Sequence, residues 1–220
     1  MKNLALLLVA AFAVNAQAAP VKRLFQDVKL PTQNVLQRQT IAAPALAATN
    51  AIKTTYAGAT AATAVTLSSF TAQPDVARNL TITPTGTTAD VEACVVVVNG
   101  TNIFNAAISE NFTFEADAST AQTGNKAFKT VSSVVFPANC ESGGFAATWI
   151  IGSGSKLGLN RCLANAGDVL HVNFDGATET VGAVGASASA VASNTYTPSG
   201  TMDASKNVVV DFIQNFACFP

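Results

Sequence analysis

The sequence predicts an all-β fold, and three observations predict it. Leu80 to Thr83 and Asn111 to Glu115 alternate apolar and polar residues, the pattern of a half-buried strand. Short β-branched runs of the kind that fill buried strands occur at Cys94 to Val98, Ser132 to Phe136 and Asn207 to Phe212. Clusters of Gly, Pro, Asn and Asp separate these runs. Roughly ten strands at this spacing favour a β-sandwich or a barrel over alternating βαβ units, and we expect a β-sandwich of jelly-roll or immunoglobulin-like type.

Residues 1–18 have the pattern of a signal peptide. Lys2 gives a positive start, Leu4 to Val14 is apolar, and small residues surround Ala18. The pattern predicts export with cleavage after Ala18. Retention of the segment, with Leu4 to Val14 buried as a helix against neighbouring subunits, is the alternative. The run is shorter than the roughly 20 residues of a membrane-spanning helix, so we expect no lasting membrane anchor.

For residues 19–62 the sequence predicts an extended, partly helical arm, which precedes the β-sandwich domain at 63–220. The arm is rich in Ala, Thr and Gln and has no sustained period, and short helical turns are predicted around Ala45 to Lys53. With few large apolar residues, the arm would take its order from a partner surface. Within the domain, the small residues of Val181 to Ser193 fit a strand pair, a loop or a short helix equally well.

The composition argues against nucleic acid as a partner. Charged residues make up 11% of the chain, and 12 basic residues nearly cancel 13 acidic ones. An ordinary soluble domain has about 25% charged residues, and a nucleic-acid-binding protein concentrates basic ones on one face. A surface of so little charge is compatible with life inside an assembly or outside the cell, and also with a low-charge monomer.

Four cysteines, an even number, make disulfides a candidate feature. They are Cys94, Cys140, Cys162 and Cys218, and they allow three pairings. The Gly-rich stretch between Cys140 and Cys162 could fold back and join its ends, so we favour this pair, with Cys94 to Cys218 as the second. Four buried free thiols are the alternative. Zinc is not expected, because the chain has no C-x-x-C and a single histidine.

No catalytic, cofactor-binding or metal-binding residue is predicted. His171 lies in a strand-like run and is expected to be structural or on the surface, and no G-x-S-x-G elbow offers a nucleophile. Gly152 to Gly158 fits neither the phosphate loop nor the dinucleotide fingerprint, and it predicts a glycine hairpin. Acidic residues are scattered without a calcium loop, although carboxylates from different strands could still meet in the fold. We therefore expect a protein that is not an enzyme and needs no cofactor.

Five stretches follow one another along the middle of the chain. They are FTAQPDVARNLTIT (70–83), DVEACVVVVNGTNI (90–103), ISENFTF (108–114), GNKAFKTVSSVVFP (124–137) and GSKLGL (154–159). In this order they resemble a group of virion structural proteins of tailed bacteriophages, over about Ala42 to Leu163. Ser155 and Asn160 depart from the group, which carries Asp and Pro at these places.

The resemblance implies a place in the virion and no chemistry. The role it suggests is a capsid decoration or cement protein, a minor capsid protein whose N-terminal arm binds the major capsid protein or other virion subunits. A homo-oligomer, for example a trimer, fits such a role. The alternative is a secreted or periplasmic β-sandwich binding module or adhesin with a cleaved signal peptide. This alternative explains the first 18 residues and the even number of cysteines better.

Overall fold

A computed structural model of the chain describes residues 35–57, 63–142 and 147–214. The all-β class is confirmed: this part contains fourteen strands in three antiparallel sheets, with three single turns of 3₁₀ helix. The strands outnumber the ten predicted because several have only two or three residues. Their bounds are β1 Leu36–Ile41, β2 Ala48–Ala57, β3 Val65–Leu67, β4 Arg78–Thr85, β5 Cys94–Thr101, β6 Ala107–Phe114, β7 Gln122–Thr123, β8 Thr130–Phe136, β9 Thr148–Gly158, β10 Val169–Phe174, β11 Ala177–Thr178, β12 Ala183–Gly185, β13 Thr195–Thr197 and β14 Val208–Ile213.

Sheet A has the strand order β1-β14-β10-β11. Its central strand β14 alternates between two faces, as a strand with period two must. Val208, Val210 and Phe212 are fully buried on one face. Asp211 and Ile213 lie on the other, where Ile213 is opposite Leu36 of β1. Sheet A therefore buries one face and leaves the other outward.

Sheet B has the order β12-β13-β9-β4-β7, and β2 also pairs with β9. The long strand β9 is its centre, and two glycines let neighbours approach it closely. A Cβ on Gly152 would lie 2.2 Å from the carbonyl oxygen of Ala48, and one on Gly154 would lie 2.3 Å from Oδ1 of Asn79. The predicted hairpin over Gly152 to Gly158 is therefore wrong: these glycines continue one strand, and they serve close packing instead of a turn.

Sheet C has the order β3-β8-β5-β6, and two hydrophobic clusters lie between the sheets. Sheets B and C both contribute to the first cluster, whose largest members are Trp149, Phe112, Phe114, Phe128, Phe136, Ile82 and Ile151. Sheets A and B both contribute to the second, whose members include Leu157, Leu159, Tyr196, Val172, Val208, Val210 and Phe212. Sheet B thus takes part in both cores.

The described part of the predicted arm is built into these sheets. β1 pairs with β14 over its whole length, and β2 pairs with β9 and buries Ile52 completely. The predicted helical turns over Ala45 to Lys53 are wrong, because pairing with β9 decides the conformation of a segment with weak preferences of its own. Residues 1–34 and 58–62 lie outside the described residues, and with them the predicted signal peptide and the first part of the arm.

The small-residue stretch Val181 to Ser193 contains one short strand, β12, followed by a loop and a single 3₁₀ turn. The fully buried side chain of Asn194 holds this loop. Its Oδ1 accepts from the backbone N–H groups of Leu163 and Ser187, both within 2.9 Å, and its Nδ2 donates to the carbonyl of Ala190. These hydrogen bonds of Asn194 fix the loop that follows β12.

The favoured disulfide pairing is wrong. Cys94 bonds Cys140, with 5.2 Å between their Cα atoms. Cys94 begins β5 and Cys140 follows β8, and these strands are neighbours in sheet C. The stretch before Cys162 contains the single strand β9 instead of a hairpin, so it does not bring Cys140 and Cys162 together. Cys162 is buried and disulfide-bonded as well, which argues against free thiols, and Cys218 lies outside the described residues.

Candidate functional site

The outward face of sheet A is a candidate binding surface. We define it by Leu36 and Arg38 of β1, His171 of β10, and Asp211 and Ile213 of β14, which the strand register places side by side. Leu36 is 60% exposed. Leu170 is 54% exposed and stands at a bulge beside His171. We single out this face because two exposed leucines lie on it or beside it, next to an ordered ion pair.

Three side chains form an ionic row across this face. Both nitrogens Nε and Nη2 of Arg38 donate to the carboxylate of Asp211, at 2.6 and 2.7 Å. Nδ1 of His171 lies 3.5 Å from the same carboxylate. The guanidinium of Arg38, by its hydrogen bonds and its charge, lowers the pKa of Asp211. The carboxylate is therefore charged at neutral pH and fixed in direction.

The row continues from His171 to a hydroxyl group, so that carboxylate, imidazole and hydroxyl follow one another as in a catalytic triad. Nε2 of His171 lies 3.1 Å from Oγ1 of Thr178, and Nδ1 faces Asp211. Here, however, Arg38 already neutralises the carboxylate, and the imidazole is 44% exposed to solvent. A general base works best in a site that excludes water and offers donors to an oxyanion. The row is therefore better suited to recognition than to acyl transfer.

Arg78 joins three of the stretches that carry the resemblance, two of them through its buried side chain and the third through its backbone. Its Nε donates to the carbonyl of Gly154 at 2.8 Å, and its Nη1 donates to Asp75 at 2.9 Å and to the carbonyl of Ala45 at 3.0 Å. Its backbone exchanges two hydrogen bonds with Phe128. A guanidinium with no exposed surface is stable only when its donors are satisfied in this way.

Asn79, the next residue, repeats the arrangement. Its Nδ2 donates to the carbonyl of Gly124 at 2.9 Å, and its Oδ1 accepts from the N–H of Lys156 at 2.9 Å. The carboxylate of Glu110 accepts from the N–H of Asn125 at 2.6 Å. Together with the pairing of β5 with β6 and β8, these bonds link all five stretches into one polar network.

A cavity of about 430 Å³ opens beside this network on sheet B. Lys156 and Asn125 stand at one side, where Nζ of Lys156 donates to the carbonyl of Gly124 at 3.2 Å. The remaining lining is small or carries hydroxyl groups and contains no carboxylate: Ala183, Val184, Gly185, Ala186, Ser193, Thr195 and Thr197. No aromatic residue lines this cavity, unlike a usual small-molecule pocket.

Two buried carboxylates lie near the disulfide, at the end of the first cluster. Glu141 accepts from Nε1 of Trp149 at 2.7 Å. Burial raises the pKa of Glu141, and the charge of Asp90 raises it further. Asp90 receives a long bond from Oγ of Ser142, at 3.4 Å. Sequence spacing gave no signal for this pair, because Asp90 follows β4 and Glu141 follows β8.

Within the described ranges, no group of three or more His, Cys, Asp or Glu side chains is placed to hold a metal ion. In the same part of the chain, no helix is long and apolar enough to cross a membrane. The chain matches no protein-family model, no curated protein and no solved structure. Its function must therefore be argued from its own residues.

Proposed function

We propose that this chain is a non-enzymatic structural protein of a bacteriophage virion, a capsid decoration or cement protein. The polar network around Arg78 and Asn79 supports the proposal best. Four of the five stretches that resemble virion proteins are joined by hydrogen bonds between side chains and backbone groups, and β5, in the remaining stretch, pairs with β6 and β8. The residues that carry the resemblance thus lie where the sheets are joined to one another.

The proposal includes a β-sandwich body. Sheets B and C both send large apolar side chains into the first cluster, as the two layers of a sandwich do. Sheet A adds a second layer against sheet B through the second cluster. A jelly-roll or immunoglobulin-like arrangement remains the finer form of this proposal.

The outward face of sheet A is the proposed contact with the shell. Its partners would be the major capsid protein or other virion subunits, and its exposed edges would also serve a homo-oligomer such as a trimer. Residues 35–57 contain β1 and β2, which are strands of the sheets. The arm that we propose to bind the shell therefore comprises only residues 19–34. β1 lies at the edge of sheet A, directly after this segment.

Two leucines of equal exposure provide the test. Leu36 on the outward face of sheet A and Leu46 outside it are each 60% exposed. The protein would be added to particles stripped of it, and the bound amount measured by sedimentation. We expect Leu36→Lys to reduce binding about tenfold, as loss of a central interface residue does, while Leu46→Lys binds normally. Equal binding by both variants would remove sheet A from the proposal.

The second candidate function is that of a secreted or periplasmic binding module, such as an adhesin. The disulfide between Cys94 and Cys140 favours it, because disulfides form and persist in oxidising compartments. The same bond is compatible with a virion, which exists outside the cell. The two candidates differ in where the chain accumulates: an exported module is found in the periplasm or medium without particles.

A further inference from the structure

One face of sheet B carries polar side chains of β9 and β13 around the cavity of about 430 Å³. Tyr196 of β13 pairs with Leu157 of β9, and both side chains lie in the second cluster, on the other face. Because side chains alternate along a strand, Lys156 shares the cavity's face with the two neighbours of Tyr196, Thr195 and Thr197. The strand register thus brings one ammonium group and two hydroxyl groups to the cavity.

Small residues of β12 and the loop after it leave the cavity open. Gly185 is directly opposite Thr195, and a Cβ on Gly185 would lie 2.6 Å from Oγ1 of Thr195. The next lining residue, Ala186, leads into the loop that Asn194 fixes by accepting a hydrogen bond from the N–H of Ser187. The cavity is therefore formed before any ligand enters, which reduces the entropy cost of binding.

Lys156 gives the cavity a positive charge that no ion pair neutralises. Its Nζ donates to two neutral oxygens, the carbonyl of Gly124 at 3.2 Å and Oδ1 of Asn125. No ion pair among the described residues includes Lys156. The carboxylate of Glu110 accepts from the N–H groups of Asn125 and Lys126 instead. Since an ammonium group has three donors, one is left for an anion.

Three hydroxyl groups of the lining are also available to a ligand. Those of Ser193, Thr195 and Thr197 have no hydrogen-bond partner in the part of the chain that the structure describes. Thr195 is only 3% exposed. A hydroxyl group that has left bulk water without gaining a partner is unfavourable. Oxygen atoms of a ligand would supply the missing hydrogen bonds.

We propose that this cavity binds a hydroxylated carboxylic acid of the size of one hexuronic acid ring. The ligand carboxylate accepts from Nζ of Lys156, and the ring hydroxyls bond to Ser193 and Thr195. The C–H groups of the ring lie against the methyl groups of Ala183 and Ala186. The volume of about 430 Å³ is within the range of about 300–1,000 Å³ for ligand pockets. The site goes beyond the proposed virion role and does not depend on it.

A titration of the isotope-labelled, full-length protein with D-glucuronate, followed by NMR, tests the site. We expect saturable, one-to-one shifts of the backbone amide signals of Gly185 and Thr195. D-glucose lacks the carboxylate and acetate lacks the ring hydroxyls, so each should bind about tenfold more weakly or worse. Absence of saturable shifts at these two residues, or equal affinity for D-glucose, would overturn the proposal.

The methyl glycoside of D-glucuronate identifies the source of the ligand. It represents an acidic sugar at the end of a longer glycan. Affinity equal to that of the free acid would support the site and assign it to such a glycan. Loss of binding by the glycoside, with the free acid still bound, would support the site for the free acid.

Two lysine variants test the charge. Lys156→Met should lower the affinity for D-glucuronate about tenfold or more, because it removes the one charged side chain of the lining. Lys126→Met is the matched control. Lys126 is half-buried like Lys156 and follows Asn125, but it does not line the cavity. Its affinity should equal that of the wild type, and equal affinity of the two variants would overturn the proposal.

Two threonine variants test the hydroxyl groups. Thr195→Val keeps the shape of the side chain and should lower the affinity about fivefold, as loss of one hydrogen bond does. Thr81→Val removes another buried, unpartnered hydroxyl of sheet B that does not line the cavity, and it should bind normally. Equal affinity of these two variants would contradict the role of Thr195. Circular dichroism identifies a variant that fails to fold, and the comparison of D-glucuronate with D-glucose needs no variant.

Discussion

Arg78 donates a hydrogen bond to the carbonyl of Gly154 at 2.8 Å, and both residues are buried between β4 and β9. The same guanidinium reaches Asp75 and Ala45, so one side chain joins the centre of sheet B to the segment between β1 and β2. The chain has few charged residues, so a buried cation is unusual in it. We infer that the hydrogen bonds of Arg78 contribute strongly to the stability of the fold.

Arg78→Met should therefore destabilise the protein strongly. The variant leaves the carbonyl of Gly154 without its partner and separates Asp75 from its cation. We expect a loss of about 2–4 kcal/mol in the free energy of unfolding, measured by urea denaturation. Lys129→Met removes an exposed cation and is the control, with a change near zero. Equal stability of both variants would show that the network contributes little.

The disulfide between Cys94 and Cys140 closes a separation of 46 residues. In the loop-entropy account such a link is worth about 4 kcal/mol. Replacing both residues by serine should lower the free energy of unfolding by a similar amount under non-reducing conditions. Peptide mapping without reduction identifies the pairing directly. A peptide that joins Cys140 to Cys162 would contradict the fold of sheet C as described.

The ion pair of Asp211 with Arg38 should make the free energy of unfolding depend on pH in the acid range. Its pKa is below the ordinary value of 3.8 because of Arg38, so the folded state binds the proton less readily than the unfolded state. The stabilisation is present above pH 3.8 and is lost as the pH falls through the lowered pKa. Asp211→Asn should be less stable than wild type at pH 7, and the difference should shrink below pH 3.8. A constant difference across this range would contradict the pairing.

Gly152 tests the close approach of β2 to β9. A methyl group there would lie 2.2 Å from the carbonyl oxygen of Ala48, whereas one on Gly167 would meet nothing within 4 Å. Gly152→Ala should cost roughly 1–3 kcal/mol or more, because backbone atoms must move. Gly167→Ala should be neutral or slightly stabilising. Thermal denaturation of the two variants compares them, and a neutral Gly152→Ala would mean that β2 does not pair here.

Local patterns predicted those strands that carry their own apolar residues. The alternation at Leu80 to Thr83 falls inside β4, and the β-branched run at Cys94 to Val98 falls inside β5. The run at Asn207 to Phe212 falls inside β14 except for Asn207, which directly precedes the strand. β1 and β2 were missed because they hold few large apolar side chains. Their conformation is set by the strands that they pair with.

The candidate sites could not be predicted from the sequence either, because the pairing of strands brings together residues that are far apart in the chain. Arg38 and Asp211 are 173 residues apart, and no spacing rule links them. Cys94 and Cys140 form their disulfide because β5 and β8 are neighbours in sheet C, and they are 46 residues apart in the chain. The buried state of Arg78 could not be predicted from its place in a Gln-Pro-Asp-Val-Ala-Arg turn, since residues far away in the chain, among them Gly154, Ala45 and Met202, surround its side chain.

The most direct test of the virion role is the location of the chain in its natural source. Particles and soluble fractions would be separated by density gradient, and the intact protein identified in each by mass spectrometry without reduction. The account predicts that the chain sediments with particles at a fixed ratio to the major capsid protein. A chain found only in the soluble exported fraction, and absent from purified particles, would contradict it.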